Sequence, residues 1–212
     1  MNNKRTFAKG RADMSTTSER VPMVTLADWV PGPKQGEWTY SDYTALLNDG
    51  QRYEIANGVL VMAPAPDGPH QDAVLRFAHY LLVHVEFANL GKVRVAPSDV
   101  ELSPNNVYQP DVFVVLHPHL NRVQEKKVIG APDLVIEVAS PSTAPYDRLT
   151  KYETYAHFGV PEYWIAKTDP RTVEVLVLEN GKYRSLGVFR GQETLPSRIV
   201  PEMPVHVDQF FA

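Results

Sequence analysis

Two short apolar runs near the middle of the chain have the pattern of buried β-strands. They span residues 109–116 (Gln-Pro-Asp-Val-Phe-Val-Val-Leu) and 132–139 (Pro-Asp-Leu-Val-Ile-Glu-Val-Ala). Continuous β-branched and apolar runs are typical of central strands that are covered on both faces. The first run nevertheless carries Asp111, and the second carries Glu137 between Ile136 and Val138. Since an isolated buried charge is costly, the pattern predicts a neutralising cation, proton or metal ion.

Turn signals and apolar periodicity predict the remaining elements. Asn57-Gly58 separates two apolar runs and predicts a β-hairpin, as does Asn180-Gly181 further on. Ser41 is the expected cap of a short helix, and an apolar stripe predicts a longer helix from about His70 to Leu90. A helix is also expected after Pro145, with Leu149, Tyr152 and Ala156 as its apolar face. Further strands are predicted at 92–96, 99–102, 163–167, 172–178 and 183–189.

The order of these elements indicates an α/β fold with a mixed central sheet flanked by helices. The strand–helix–strand unit over residues 134–167 is the main support for this fold class. Residues 1–37 are polar and then rich in Pro and Gly, which predicts a flexible N-terminal arm. Residues 38–212 are expected to form one domain, because 212 residues suffice for a single α/β core.

Composition narrows the setting in which the protein works. The chain is 43% hydrophobic, has no apolar run of the ~20 residues that span a membrane, and has no cysteine for disulfides or thiolate metal sites. We therefore expect a cytoplasmic protein with no membrane partner. The net charge of the chain is −4. Residues 1–20 carry five basic and two acidic groups, a net charge of +3, so residues 21–212 carry a net charge of −7. This acidic balance argues against a nucleic-acid packaging role, but less against an enzyme with acidic metal ligands.

Asp111 and Glu137 are the first candidates for chemistry. They lie 26 residues apart on successive predicted strands, and strands adjacent in sequence often pair. Pairing would bring both carboxylates into one metal coordination sphere, to which the Val138 carbonyl could add an oxygen. Oxygen-only ligation suits Mg²⁺ or Mn²⁺, which can activate a bound water and stabilise charge on a phosphate.

Lys151 and Glu54 complete the candidate set. Lys151 lies on the helix after the second strand, one turn beyond Asp147, and could reach a metal-bound water or a phosphate oxygen. Glu54, at the start of the first hairpin, could bind metal or orient water.

Each candidate also has a structural interpretation. Asp111 could cap a turn, and Glu137 could serve only the packing of its strand. Lys151 and Asp147 have the i, i+4 spacing of an exposed ion pair, which contributes roughly 0.3–0.5 kcal/mol. The residues alone leave these alternatives open.

A set of short motifs occurs in a characteristic order between about residues 40 and 200. The motifs are Tyr53-Glu54-Ile55 with Asn57-Gly58, Pro64-Ala65-Pro66 before His70, Gln109-Pro110-Asp111, residues 133–138, Ser140-Pro141-Ser142-Thr143, Asp147 with Lys151, and residues 160–164. In this order they resemble the PD-(D/E)XK nuclease superfamily, which has the restriction-endonuclease-like fold. More closely, they resemble the bacterial Uma-two family of endonuclease-like proteins.

The resemblance implies a role for each candidate. Asp111 matches the Asp of the PD element, and Glu137 matches the acidic residue of the (D/E)XK element. The position of the usual Lys holds Ala139, and Lys151 on the following helix matches the displaced Lys of the family. Glu54 matches the acidic residue near the N-terminal side of the core.

The sequence thus leads to the hypothesis of a Mg²⁺- or Mn²⁺-dependent endonuclease that hydrolyses DNA phosphodiester bonds. Asp111, Glu137, Lys151 and Glu54 are the expected catalytic residues, with Asp111 and Glu137 as the metal ligands. The alternatives are a non-catalytic member of the fold that binds nucleic acid or protein, and a metal-dependent hydrolase that is not a nuclease. Because cutting both DNA strands needs two active sites or two encounters, we also expect a homodimer, with residues 205–212 as a candidate contact surface or as part of the core.

Overall fold

The computed structural model describes residues 25–46, 50–139, 146–201 and 203–211. These residues form twelve strands in chain order: β1 (Thr25–Leu26), β2 (Tyr53–Ala56), β3 (Val59–Met62), β4 (Gly91–Val95), β5 (Asp99–Ser103), β6 (Asn106–Tyr108), β7 (Val112–Leu116), β8 (Lys127–Ile129), β9 (Leu134–Ala139), β10 (Glu162–Lys167), β11 (Thr172–Glu179) and β12 (Lys182–Arg190). The α-helices are α1 (Tyr40–Thr44), α2 (Gly68–Leu81) and α3 (Tyr152–His157). Two π-helical turns, Leu82–Glu86 and Asp147–Lys151, and two 3₁₀ helices, His117–Arg122 and Val207–Phe210, complete the described elements.

The strands form two mixed six-stranded sheets within the described ranges. The first sheet has the order β1-β3-β2-β6-β5-β8, and the second has the order β12-β11-β10-β9-β7-β4. In the second sheet β9 and β10 are parallel, and α3 lies on the connection between them, while the other pairs are antiparallel. The predicted mixed α/β fold is confirmed.

The second sheet is covered on both faces, and this explains the continuous apolar runs of β7 and β9. Its first face packs against α2 and the C-terminal segment through Phe77, Leu81, Val112, Ile136, Trp164 and Phe210. Its second face packs against α3 and the first sheet through Phe113, Val135, Tyr155, Val61, Val100 and Tyr108. The first sheet therefore covers part of a face where the sequence pattern predicts only helices.

Both predicted Asn-Gly hairpins are confirmed. Asn57 and Gly58 have φ of 50° and 75°, and Asn180 and Gly181 have φ of 51° and 76°. Two successive positive φ values are the signature of a type I′ turn, which Asn-Gly adopts at little cost. At Gly58 a side chain is also excluded by space, because an added Cβ would lie 2.3 Å from the carbonyl oxygen of Gly36.

Two details differ from the sequence-based expectations. Thr39 rather than Ser41 caps α1, because Thr39 and Asp42 form a reciprocal capping box. Leu149, expected on an apolar helix face, is 56% exposed. For the C-terminal stretch, the sequence left a contact surface or the core as alternatives, and the structure shows core packing, with Val207 and Phe210 fully buried.

The predicted N-terminal arm of residues 1–37 falls partly within the structure. Residues 1–24 lie outside the described part of the chain. Beyond them, Thr25 and Leu26 pair with β3, Ala27 is buried, and the Gln35 side chain accepts a hydrogen bond from Leu60 N.

No helix among the described residues has both the length and the apolar character that a membrane span requires.

Candidate active site

Asp111 and Glu137 meet at one end of the β7–β9 pair. The antiparallel register pairs Val112 with Ile136 and Phe113 with Val135, so the next step places Asp111 opposite Glu137. Side chains alternate between faces along a strand, so both acids share the face of Phe113 and Val135, which packs against α3 and the first sheet. The expectation that the two carboxylate-bearing strands are neighbours is confirmed.

Asp111 is held by one backbone and one side-chain donor. Its Oδ2 accepts a hydrogen bond from Val138 N at 2.8 Å and lies 3.1 Å from Nε2 of His70. Burial raises the pKa of the Asp111 carboxyl, but the hydrogen bond and charge of His70, the charge of Lys151 and the Val138 N–H together hold that pKa below its ordinary value. Asp111 is thus ionised at neutral pH, and its Oδ1 has no hydrogen-bond partner among the described residues.

The start of α2 sets the position of His70. Asp67 caps the helix, and its Oδ1 accepts a hydrogen bond from His70 N at 2.9 Å. The imidazole is mostly buried, and its Nδ1 has no partner in the described part of the chain. Because a carboxylate only accepts hydrogen bonds, His70 donates to Asp111 through Nε2.

Lys151 lies between two buried carboxylates. Its Nζ is 2.9 Å from Glu137 Oε1 and 3.2 Å from Glu54 Oε1. Lys151, Glu137 and Glu54 are only 6%, 3% and 4% exposed. The interpretation of Lys151 as an exposed partner of Asp147 is therefore wrong for the lysine, while the side chain of Asp147 lies outside the described residues. Lys151 ends the π-helical turn that directly precedes α3, and from there its side chain reaches Glu137 on β9 and Glu54 on β2.

Tyr155 and Gln109 hold the two glutamates from the other side. The Tyr155 hydroxyl donates to Glu137 Oε1 at 2.8 Å, and Gln109 N donates to Glu54 Oε1 at 3.0 Å. Burial, and then the charges of Glu137 and Glu54, raise the pKa of Tyr155 well above its ordinary value. The phenol therefore stays protonated and serves as a fixed donor.

A second polar network supports the segment that leads into Asp111. The Gln109 side chain donates to Asp99 Oδ1 at 2.8 Å and to the Tyr43 hydroxyl at 3.1 Å, and it accepts from Arg52 Nε at 3.1 Å. Burial raises the pKa of Asp99, although its hydrogen bonds oppose that shift. These contacts fix residues 109–111 against the first sheet.

His70, Tyr155 and Gln109 complete the site, and none of them was in the predicted catalytic set. Tyr155 carried a usable signal, because it lies four residues after Lys151 and residues at that spacing share one helix face. His70 and Gln109 lie 41 and 55 residues in sequence from the acids that they contact, so only the tertiary fold shows these contacts.

The chemistry of the donor set fits a hard divalent cation. The site brings together three carboxylates, those of Asp111, Glu137 and Glu54, and they outnumber its basic groups, the Lys151 ammonium and the His70 imidazole. No group of three His, Asp or Glu side chains among the described residues is arranged as a complete ligand set. Asp111 and Glu137 would therefore hold an ion together with a backbone carbonyl and water, which is the kind of site that Mg²⁺ accepts.

Comparison with known proteins agrees with this architecture. Residues 40–207 match the model of the Uma2 family, which is described as "Putative restriction endonuclease". A crystal structure described as a "putative nuclease belonging to DUF820" from Anabaena variabilis is similar in fold, with a TM-score of 0.69 and 18% sequence identity. That match covers 82% of this chain and 97% of the other. None of the curated proteins matches the chain. Since the family match extends over most of the 212 residues, the chain belongs to the Uma2 family, and its fold is that of restriction-endonuclease-like nucleases.

Proposed function

We propose that this protein is a metal-dependent endonuclease that hydrolyses DNA phosphodiester bonds. The observation that carries the proposal is the pairing of Asp111 with Glu137 at the end of two buried strands, with the Lys151 ammonium 2.9 Å from Glu137. A buried lysine beside paired carboxylates is costly to maintain, and such groups are concentrated at functional sites. The family description and the similarity to a nuclease fold support the same class of reaction.

Asp111, Glu137 and the Val138 carbonyl would hold the ion, with Mg²⁺ or Mn²⁺ as the matching choices. Such an ion, when bound, activates water and offsets negative charge on the phosphate. Asp111 suits this role because it is ionised and its Oδ1 is not engaged by the described residues. His70 and Val138 N fix Oδ2, so they orient the carboxylate.

Lys151 is the group that would stabilise developing charge. Its ammonium lies within hydrogen-bond distance of Glu137, so it is also close to any water or phosphate bound there. Glu54 has an auxiliary role, because it holds Lys151 on one side and the backbone of Gln109 on the other. Tyr155 fixes Glu137 Oε1 and limits the orientations of that carboxylate.

The displaced lysine supports an intact rather than a decayed site. Ala139 shares the face of Glu137 on β9 and is buried there. Lys151 reaches Glu137 from the turn before α3, so a lysine is present although its usual strand position is not used.

A protein with one active site needs two copies, or two encounters, to cut both strands of a DNA duplex. We therefore include a homodimer in the proposal. The cysteine-free composition agrees with a reducing, cytoplasmic setting.

The test is cleavage of supercoiled plasmid, linear duplex and single-stranded DNA, with Mg²⁺, Mn²⁺ or a chelator. We expect nicked and linear products only when metal is present. Glu137→Gln should abolish cleavage, whereas Glu162→Gln is the matched control. Glu162 is a fully buried glutamate on the neighbouring strand β10, but it is bound by Trp164, Ser197 and Arg198 N away from the site.

The outcomes separate the proposal from its main alternative. Equal loss of cleavage in both variants would indicate a general effect of removing a buried acid. DNA binding by the wild-type protein without cleavage under every metal condition would contradict the proposal and favour a non-catalytic binding role.

A further inference from the structure

We propose that a groove along the β4 edge of the second sheet binds the DNA backbone beside the reacting phosphate. This inference rests on the proposed nuclease function and adds to it the path of the substrate. The groove has a volume of about 450 Å³ and lies between α2, β4 and the segment that leads into β8. Its lining includes Arg94, Val95, Pro97, Glu125 and Lys126.

The groove opens next to the candidate active site. Val95 on β4 pairs with Val112, and the following residue, Ala96, donates its N–H to the carbonyl oxygen of Asp111 at 3.2 Å. Val95 and Pro97 flank this contact and line the groove. A strand that enters the groove therefore passes Asp111 at its end.

Arg94 lies on the same sheet face as the two catalytic acids. It pairs with Phe113, which is two residues from Asp111 and shares its face. Asp111 is two residues along the neighbouring strand from the partner of Arg94, which is about 6–7 Å along the strand and about 4.7–4.9 Å across to it. The resulting separation of about 8 Å is on the scale of two base-pair rises of B-DNA at about 3.4 Å each. Arg94 is thus placed to contact a backbone phosphate one or two nucleotides from the phosphate at Asp111.

The charges of the groove fit an anionic chain. Arg94 and Lys126 are exposed, and neither side chain makes an ion pair or hydrogen bond among the described residues. Arg94 is near enough to Glu86 for its charge to act on that carboxylate, but the two do not form an ion pair. Nearby Lys92 and Lys127, in contrast, are paired with Glu86 and Glu101. An unpaired Arg can bind phosphate through two donors, and an unpaired Lys can do so as a point charge.

Two further features define the occupant. Ser98 and Gln124 add neutral hydrogen-bonding groups to the lining, which suits phosphate and sugar oxygens. Glu125 is the acidic side chain of the lining, and it is exposed. Since the groove lies at a sheet edge and is open to solvent, it can receive a long polymer rather than a small enclosed ligand.

The test is the salt dependence of binding to a short fluorescent DNA duplex in a chelator, where no cleavage occurs. Each lost phosphate contact lowers the slope of log affinity against log salt by about 0.9. The double variant Arg94→Ala/Lys126→Ala should therefore lower the slope by about 2 between about 50 and 200 mM salt. Glu125→Gln should tighten binding, because it removes the opposing charge.

A matched control separates position from net charge. Lys182→Ala/Arg190→Ala also removes one lysine and one arginine, and both residues are exposed on β12 at the opposite edge of the same sheet. This control should keep the wild-type slope. Folding of both double variants is checked by circular dichroism and thermal unfolding.

Two outcomes would contradict DNA binding by the groove. One is a wild-type slope in the Arg94→Ala/Lys126→Ala variant, and the other is an equal loss in the groove and control variants. Wild-type cleavage is measured in parallel with metal present. If the wild-type protein cleaves DNA and the groove variant keeps the wild-type slope, the nuclease function is supported and the groove is contradicted. If the groove variant has a reduced slope but the wild-type protein does not cleave DNA, the groove is supported and the nuclease function is contradicted.

Discussion

Replacing Lys151 with Met tests whether its ammonium truly offsets two buried carboxylates. Met keeps a long unbranched side chain, so the change removes charge and hydrogen bonds rather than volume. Lys151 lies 2.9 Å from Glu137 and 3.2 Å from Glu54, and all three residues are at least 94% buried. The variant would leave both acids in the core without their cation.

The expected loss follows from this geometry. Removing one partner of a buried ion pair costs about 3–5 kcal/mol, because the remaining charge is uncompensated. An exposed i, i+4 pair with Asp147 would instead lose only about 0.3–0.5 kcal/mol. For a domain of this size, about 3–5 kcal/mol lowers the midpoint of thermal unfolding by roughly 6–20 °C.

The assay is urea unfolding followed by tryptophan fluorescence, together with thermal unfolding at neutral pH. Lys182→Met is the control, since Lys182 is exposed on β12 and its change should stay within about 0.5 kcal/mol of wild type. Adding Glu137→Gln to Lys151→Met should recover part of the loss, because the two residues are in direct contact. A Lys151→Met variant as stable as Lys182→Met would refute the buried arrangement.

Two further predictions concern the partners of the acids. The pKa of Asp111 is lowered from its ordinary value of 3.8, so the ionised carboxylate stabilises the fold above about pH 4, and this contribution is lost as the pH falls through the lowered value. The difference in unfolding free energy between wild type and Asp111→Asn should therefore shrink in acid, as measured by unfolding at several pH values. A difference that does not change with pH would contradict this. Tyr155→Phe should lower the free energy of unfolding by about 1.5–3 kcal/mol, because the Tyr155 hydroxyl donates to a carboxylate. Tyr183→Phe should lower it by only about 0.5–1.5 kcal/mol, because the Tyr183 hydroxyl donates to the neutral carbonyl of Val160. Equal losses in urea unfolding would argue against the stronger hydrogen bond assigned to Tyr155.

Local sequence signals predicted much of the second sheet and both hairpins. The two Asn-Gly turns carry their own backbone preference, and the apolar runs of β7 and β9 reflect burial on both faces. The pairing of Asp111 with Glu137 followed from the tendency of successive strands to be neighbours.

The first sheet was much harder to predict from the sequence. Two of its strands, β6 and β8, have three residues each, which is too short for a reliable apolar pattern. β8 joins β5 in parallel, with Asp99 paired to Lys127 28 positions later, and such long-range pairing leaves no local signal. A single sheet flanked by helices was therefore the simpler prediction.

The environment of Lys151 also depended on tertiary structure. Its spacing from Asp147 fits a solvent-exposed pair, and Leu149 beside it is exposed. The lysine is nevertheless buried, because its side chain contacts Glu137 on β9 and Glu54 on β2. Local spacing could identify the candidate but could not show on which side of the helix the core lies.

The most direct test of the proposed chemistry compares two buried aspartates at opposite ends of the same strand pair. Asp133, just before β9, is bound by His119 and by Leu116 N, much as Asp111 is bound by His70 and Val138 N. No buried lysine like Lys151 contacts Asp133 among the described residues. The two sites therefore differ mainly in the chemistry that we assign to Asp111.

The measurement is the rate of Mg²⁺-dependent DNA cleavage at excess protein for wild type, Asp111→Asn and Asp133→Asn, with folding checked for each. We predict that Asp111→Asn lowers the rate by at least about 10²-fold, in the range seen when one preorganised electrostatic group is lost. Asp133→Asn should retain cleavage close to the wild-type rate when it is folded. Cleavage by Asp111→Asn at the wild-type rate would contradict the account and place the active site elsewhere in the protein.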